Sequence, residues 1–131
     1  MKIVALDFGR ARTGVAVSDP TGTVARPVGV VERAAGEDGL ARLAALIADE
    51  DAERVVVGLP LTMRGERGEQ AQETERFVEA LRARTDVPVV MFDERFTTDL
   101  AEQTPSDTAE DARAAAHLLS SYLTWSSGAR A

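Results

Sequence analysis

Short apolar runs with little alternation recur along the chain, and each predicts a β-strand that is buried on both faces. They lie at Ile3 to Leu6, Val15 to Val17, Arg54 to Leu59 and Val89 to Phe92. Residues 24–31 predict a further short strand near an edge of the sheet, where Pro27 is tolerated although it has no backbone N–H. Gly9 and Gly14 bracket an Arg-rich turn that joins the first two runs as a hairpin.

Apolar residues recur at helical spacing in three other segments, which predicts amphipathic helices. The segments are 40–50, 69–84 and about 108–124. The predicted order is therefore β-β-β-α-β-α-β-α. A hairpin meander followed by βαβ crossovers gives a mixed five-stranded sheet with helices on both faces, an α/β fold. We expect one domain over residues 1–125 and a frayed tail over 126–131.

The composition limits both the class of protein and the kind of site. The chain has 131 residues and no cysteine, which fits one domain and excludes disulfides and thiolate metal sites. No apolar run approaches the roughly 18 residues of a membrane span, and no signal peptide precedes the first strand, so we expect a cytoplasmic protein without membrane contact. The net charge of −7 argues against a general polyanion binder, although residues 1–33 hold five basic and three acidic groups.

Carboxylates follow two of the predicted buried strands. Asp7 ends the first strand, and Asp93 and Glu94 follow the last. The carboxyl ends of parallel strands share one edge of an α/β sheet, where ligands bind, so these acids emerge together if those strands are parallel neighbours. Asp111 begins the last helix on the same stripe as Ala115, from which it can face the end of the sheet.

The predicted cluster contains only hard oxygen ligands, which suit Mg²⁺ or Mn²⁺. Two such ions a few ångströms apart stabilise the attacking and leaving oxygens of a phosphodiester displacement. Two or three carboxylates with open metal positions are what that mechanism needs. One interpretation of the acids is therefore a two-metal hydrolytic site.

Each acid also has a structural interpretation. Asp7 can accept hydrogen bonds from the amides of the turn that follows it. Asp111 can cap its helix in a Thr108-x-x-Asp111 pattern and favour the helix dipole. Asp93 and Glu94 point to opposite faces of a strand, so at most one of them is a ligand.

Four motifs occur in order along nearly the whole chain. They are Leu6-Asp7-Phe8-Gly9 with Arg12 and Gly14 to Pro20; Val56 to Leu61 with Gly65 and Gly68 to Ala71; Asp93 to Thr98; and Asp111, Ala112, Ala114 and Ala115 leading to Leu118, Leu119, Tyr122 and Leu123. Together they resemble the YqgF/RuvX family, the RuvC-like branch of the ribonuclease H-like superfamily. Four motifs in order are far more specific than any one of them.

The resemblance implies a ribonuclease H-like, three-layer α/β/α fold and a nuclease. The family is known for processing the 5′ end of pre-16S rRNA and for Holliday-junction resolvase-like enzymes, so the implied partner is nucleic acid. Carried over by motif, Asp7, Glu94 and Asp111 are the catalytic carboxylates and hold Mg²⁺ or Mn²⁺, with two ions expected. Arg12 and Arg95 steady phosphate or orient the acids. The dimeric habit of related resolvases implies a homodimer.

One segment departs from the family pattern. Between Thr98 and Asp111 the family carries a longer segment with a helix and a basic cluster, whereas this chain has a short one with four acids and no cation. Nucleic-acid contact then falls to arginines elsewhere, each making a modest and salt-dependent contribution. These arginines are Arg10, Arg12, Arg26, Arg64 and Arg67. For the last two, a solvated loop is the alternative.

Three classes of function stay open from the sequence. The first is a metal-dependent endonuclease acting on structured RNA or branched DNA. The second is a non-catalytic RNA-binding ribosome-assembly factor with a weakened site, which the acidic segment 99–110 favours. The third is a nucleotide-binding ATPase fragment, because Asp7-x-Gly9 before a turn resembles a phosphate-binding hairpin. Such folds need two domains around a cleft, and this chain supplies one.

Overall fold

The computed structural model describes residues 1–96 and 108–128. Within these residues the chain forms five strands and three helices in the predicted order. The strands are β1 (Ile3–Asp7), β2 (Arg12–Ser18), β3 (Ala25–Glu32), β4 (Arg54–Leu59) and β5 (Val89–Asp93); the helices are α1 (Glu37–Asp49), α2 (Glu69–Arg82) and α3 (Thr108–Gly128); and a single 3₁₀ turn at Glu94–Phe96 follows β5.

The strands form one mixed sheet in the order β3-β2-β1-β4-β5. β1 pairs antiparallel with β2, and β2 with β3, so the first three strands are a meander. β1 pairs parallel with β4, and β4 with β5, so these three strands end at the same edge of the sheet. The order confirms the predicted sheet, including the position of the proline-containing strand β3 at an edge.

Both faces of the sheet are buried, because the strands direct alternate side chains into two apolar layers. On one face, Leu6 packs in a cluster with Leu43 of α1 and Phe77 of α2. On the other face, Val56 packs in a cluster with Leu119 of α3. The architecture is therefore the predicted three-layer α/β/α arrangement, with α1 and α2 on one side and α3 on the other.

The ends of the helices differ from the predicted ones. α1 begins at Glu37 rather than near residue 40, because its first turn is acidic, which favours the helix dipole but adds nothing to the apolar pattern. α3 continues to Gly128, beyond the predicted end near residue 124. Trp125 helps to hold this last part of α3, since its ring lies 5.6 Å from that of Phe92. Residues 129–131 lie outside the described part of the chain.

Of the segment 99–110, which departs from the family pattern, the structure describes only residues 108–110. Residues 97–107 lie outside the described residues, and 108–110 form the first turn of α3. Helix α3 has 21 residues, but neither it nor any other helix in the described ranges is both long and apolar enough to cross a membrane.

Candidate active site

The parallel strands bring the predicted carboxylates to one edge of the sheet. Leu59 at the end of β4 is level with Asp93 at the end of β5. Asp7 ends β1 on the other side of β4, and Glu94 begins the 3₁₀ turn directly after β5. This is the edge at which α/β sheets bind their ligands.

Asp7 and Glu94 line one cleft of about 620 Å³ between the sheet edge and α2, here termed the carboxylate cleft. Its other described walls are Phe8, Gly9, Arg10, Pro60, Glu69, Gln70, Glu73 and Thr74. Four of these ten lining residues are acidic, and Arg10 is the one basic residue among them. The cleft therefore has the acidic oxygen groups that a hard cation requires.

A glycine beside the cleft makes room for the Glu94 side chain. A Cβ atom at Gly58 would lie 2.5 Å from the Glu94 Oε1 atom and 2.9 Å from its Cγ atom. Gly58 is the penultimate residue of β4, so the strand passes directly beside the carboxylate. A larger residue at this position would displace Glu94 from the cleft.

The neighbouring acid, Asp93, is bound to a different partner. Arg95 donates from Nε and Nη2 to Asp93 Oδ2 at 3.0 and 2.6 Å, and its backbone N–H donates to Oδ1 at 2.9 Å. The side-chain hydrogen bond lowers the pKa of Asp93 and raises the pKa of Arg95. Of the two adjacent acids, Glu94 is the one that lines the cleft.

The third predicted ligand, Asp111, lies in the first turn of α3. Arg12 Nε is 3.0 Å from Asp111 Oδ2, and the two side chains expose 35% and 19% of their surface. The backbone of α3 comes this close to β2 because β2 has Gly14, where a Cβ atom would overlap the carbonyl oxygen of Asp111. Gly14 is itself the cross-strand partner of Asp7, so Asp111 contacts the residue next to Asp7 in the sheet.

Two of the three predicted carboxylates therefore share a cleft, and the third is ion-paired. Asp7 and Glu94 line the carboxylate cleft, and Asp111 is paired with Arg12. Within residues 1–96 and 108–128, no group of three His, Cys, Asp or Glu side chains is arranged to hold a metal ion. The assignment of all three as metal ligands stays a prediction.

Arg10, predicted to bind nucleic acid, lies in the wall of the cleft and is held there by α2. Its Nε donates to Glu73 Oε2 at 2.8 Å, its Nη2 donates to Glu73 Oε1, and Nη2 also lies 3.4 Å from Glu69 Oε1. The hydrogen bond from Arg10 lowers the pKa of Glu73. Neither glutamate is among the residues predicted for the site, although their spacing of four residues places them on one face of a helix.

The other arginines predicted to contact nucleic acid differ in whether they already form an ion pair with a carboxylate. Arg67 Nε donates to both carboxylate oxygens of Glu75 at 2.9 and 3.0 Å, which raises the pKa of Arg67. Arg12 and Arg95 are paired with aspartates as described above. Arg64 is exposed in the loop between β4 and α2 and has no carboxylate partner among the described residues. Arg26 of β3 is likewise exposed and has no carboxylate partner among the described residues, so Arg26 and Arg64 are the two predicted cations that are not already ion-paired there.

Comparison with known proteins gives the family. Residues 1–125 match the model of the RuvX family, described as Holliday junction resolvase. A protein of Chloroflexus aggregans named "Putative pre-16S rRNA nuclease" is 50% identical over 101 residues, which cover 77% of this chain and 71% of the relative. A protein of the same name from Sulfurihydrogenibium sp. is 39% identical over 131 aligned positions, covering 93% of this chain and 89% of the relative.

A solved structure resembles the fold of this chain. T. thermophilus RuvC, solved in complex with Holliday junction substrate, superposes with a TM-score of 0.60 over 98% of this chain and 96% of that one, at 18% sequence identity. This likeness confirms the predicted ribonuclease H-like fold. The family match confirms the predicted class of enzyme, a hydrolase that acts on phosphodiester bonds. With residues 1–125 matched, the chain belongs to the RuvX family.

Proposed function

We propose that this protein is a divalent-metal-dependent endonuclease acting on structured nucleic acid, either the 5′ extension of pre-16S rRNA or a Holliday junction. The observation that carries the proposal is the presence of Asp7 and Glu94 in one acidic cleft at the carboxyl edge of the parallel strands. The names of the family and of its relatives supply the two classes of substrate.

The donor set of the cleft suits Mg²⁺ or Mn²⁺. Mg²⁺ at phosphoryl-transfer sites is commonly held by one or two carboxylates together with water and substrate phosphate, and Asp7 and Glu94 supply two carboxylates. When bound, such ions stabilise the attacking and leaving oxygens of the displacement. In this proposal Asp7, Glu94 and Asp111 would together hold two ions, and Asp111 would then give up its ion pair with Arg12.

The arginines around the cleft bind phosphate groups in this proposal. Arg10 donates from Nε and Nη2 to Glu73 and Glu69, which leaves its Nη1 group for a phosphate oxygen. Its two glutamates hold the guanidinium at the mouth of the cleft, so little side-chain entropy is lost on binding. Arg12, once released by Asp111, supplies a second cation, and Arg64, Arg67 and Arg95 extend the contact surface.

The test is a cleavage assay of the wild-type protein and the Asp7→Asn variant. The substrates are a synthetic four-way DNA junction and a 5′-extended 16S precursor transcript, each with Mg²⁺, Mn²⁺ or EDTA. We expect wild-type cleavage with metal, none with EDTA, and loss of cleavage in Asp7→Asn, because Asn keeps the shape of the side chain and removes its charge. Unchanged cleavage by a folded Asp7→Asn protein would contradict the proposal.

A matched control comes from the far end of β2. Asp19 accepts hydrogen bonds from the backbone N–H groups of Thr23 and Val24 in its own turn, away from the cleft. Asp19→Asn makes the same change of charge and should leave cleavage unaltered. A loss as large as that in Asp7→Asn would show that the assay reports on net charge rather than on the cleft.

Which of the two substrates is cleaved distinguishes Holliday junction resolution from rRNA maturation. Junction cleavage at symmetric positions would indicate a homodimer that acts as a resolvase, whereas cleavage of the transcript alone would indicate rRNA maturation. Binding without cleavage would favour a non-catalytic RNA-binding assembly factor, an alternative that the pairing of Asp111 with Arg12 supports. The proposal includes a cytoplasmic location, where both substrates occur.

A further inference from the structure

A second pocket adjoins the carboxylate cleft on the side of α2, here termed the Phe8 pocket. It encloses about 320 Å³ and shares Phe8, Arg10 and Glu73 with the cleft. Its other walls include Arg76, Phe77 and Ala80. Because the two cavities share these three residues, and Phe8 directly follows Asp7 in the chain, the Phe8 pocket lies beside the carboxylate cleft.

One wall of the Phe8 pocket is a fixed aromatic ring. The Phe8 and Phe77 rings are stacked, with centroids 4.4 Å apart and planes inclined by 16°. Phe77 is buried in the core and Phe8 is partly buried, so the core side chain supports the outer one. An aromatic ring held by packing is a suitable surface for stacking a planar ligand, because little freedom is lost on binding.

The rim of the pocket is charged. The carboxylate of Glu73 accepts two hydrogen bonds from Arg10, and Arg76 lies on the same helix three residues further on. Guanidinium groups stack on bases and bind phosphate, and a carboxylate accepts from the exocyclic amino group of a base. An aromatic ring, two guanidinium groups and a carboxylate acceptor together suit a nucleobase with its phosphate better than a purely apolar ligand.

We propose that the Phe8 pocket binds an unpaired nucleobase of the substrate, next to the phosphate in the carboxylate cleft. The base stacks on Phe8, and Glu73 accepts a hydrogen bond from one of its N–H groups. Arg76 binds the neighbouring phosphate. This inference rests on the proposed nuclease function and narrows it: the substrate is single-stranded, or locally opened, at the cleavage site. A continuous duplex can fill the pocket only after a base leaves its stack.

Fluorescence of 2-aminopurine tests this proposal without any cleavage. The probe is a short single-stranded oligonucleotide with one 2-aminopurine, titrated in EDTA so that no metal-dependent step takes part. We expect wild-type protein to quench the probe. Phe8→Leu, which keeps an apolar side chain but removes the ring, should lose the quenching and bind about tenfold more weakly. Ala80→Leu fills the pocket and should have the same effect.

Exposed positions on α1 provide matched controls. Ala45→Leu repeats the change of size and Arg42→Ala repeats the change of charge away from the pocket. Both controls should bind and quench as the wild type does, whereas Arg76→Ala should weaken binding. If Phe8→Leu and Ala80→Leu bind and quench like the wild type, or if the wild type does not quench at all, the pocket proposal is overturned.

The base-pocket proposal and the nuclease proposal can be tested independently of each other. Quenching that Ala80→Leu removes would support the base pocket even if neither substrate is cleaved. Conversely, if Asp7→Asn abolishes cleavage while the pocket variants bind normally, the nuclease proposal stands and the base pocket does not.

Discussion

Two acidic regions lie at the same edge of the sheet, and they differ in what surrounds their carboxylates. On the α2 side, Asp7 and Glu94 line an acidic cleft, with Arg10 as the one basic lining residue that the structure describes. On the α3 side, Asp111 is 3.0 Å from Arg12, and its Oδ2 atom is buried. The first region presents its carboxylates to a cleft, whereas the second holds its carboxylate in an ion pair.

Each region depends on a glycine, but for a different reason. Gly14 lets the main chain of α3 contact β2, so it fixes the position of the helix that carries Asp111. At Gly58, the three atoms nearest to an added Cβ all belong to the Glu94 side chain. On the α3 side, the glycine therefore affects how a helix packs on the sheet. On the α2 side, the glycine affects the position of one carboxylate side chain. Changes on the first side should affect folding, and changes on the second should affect chemistry.

The largest expected effects come from alanine at these two glycines. Gly14→Ala puts a methyl group against main-chain atoms that cannot move without shifting α3, so we expect a loss of about 3 kcal/mol in the free energy of unfolding. Gly58→Ala meets a side chain that can rotate away, so we expect a loss of about 1 kcal/mol together with near-complete loss of cleavage. Urea unfolding and the cleavage assay measure the two quantities.

Gly29→Ala is the control for both variants, because a Cβ atom at Gly29 has no neighbour within 4 Å. It should change neither stability nor cleavage appreciably. The comparison between the two regions would be wrong if Gly14→Ala were as stable as the wild type, or if Gly58→Ala cleaved at the wild-type rate.

The next largest expected effect is on Mn²⁺ affinity, because Arg12 and a metal ion would compete for the carboxylate of Asp111. If binding requires Asp111 to leave Arg12, the ion pair competes with the metal. An ion pair with partly exposed side chains contributes about 1 kcal/mol, so Arg12→Ala should tighten Mn²⁺ binding about fivefold, and Asp111→Asn should weaken it. Calorimetric titration with Mn²⁺ measures both. Identical Mn²⁺ affinity in Arg12→Ala and wild type would show that Asp111 stays outside the metal site.

A smaller effect distinguishes paired from unpaired arginines. Arg64 has no carboxylate partner among the described residues, whereas Arg67 is bonded to Glu75. Arg64→Ala should therefore reduce the slope of log K against log salt by about 0.7 to 0.9, the value for one phosphate contact. Arg67→Ala should reduce it by less. Binding isotherms at several salt concentrations give the slopes, and equal reductions would mean that the ion pair opens on binding.

The smallest effect concerns pH and a carboxylate away from both regions. The Thr21 hydroxyl and the backbone N–H groups of Val24 and Thr23 lower the pKa of Asp19 from 3.8 to about 2. A lowered carboxyl pKa stabilises the folded state above the unfolded pKa, and this stabilisation is lost as the pH falls from about 4 to about 2. Asp19→Asn should thus lower Tm at neutral pH but not near pH 2. A Tm difference that persists at pH 2 would contradict this assignment.

Much of the fold follows from the sequence because the strong signals are local. The apolar runs at β1, β4 and β5 predict buried parallel strands, and proline predicts an edge for β3. The start of α1 at Glu37 does not follow from the apolar periodicity, because its first turn is acidic and is stabilised by backbone hydrogen bonds and the helix dipole. The end of α3 at Gly128 does not follow from the sequence pattern, because Ser126 and Ser127 do not continue the apolar periodicity; at this end of the helix the Trp125 ring lies 5.6 Å from that of Phe92.

The sequence predicts which acidic residues come together at the edge of the sheet. It does not predict which arginines form ion pairs with which carboxylates. Acids that follow buried strands give Asp7 and Glu94, since strand ends meet at one edge. The partner of Arg10 lies 63 residues away on α2, and the partner of Arg12 lies on α3. No local pattern links such pairs. Only the packing of helices on the sheet shows which cations are already neutralised.

Two adjacent acids test whether the cleft between Asp7 and Glu94 is the metal centre that we propose. Glu94 lines the cleft, whereas Asp93 is bonded to Arg95. We would measure Mn²⁺ binding by calorimetry for wild type, Glu94→Gln and Asp93→Asn, each checked for folding. We expect Glu94→Gln to lose Mn²⁺ binding and Asp93→Asn to keep it. Loss in Asp93→Asn with retention in Glu94→Gln would contradict the proposal.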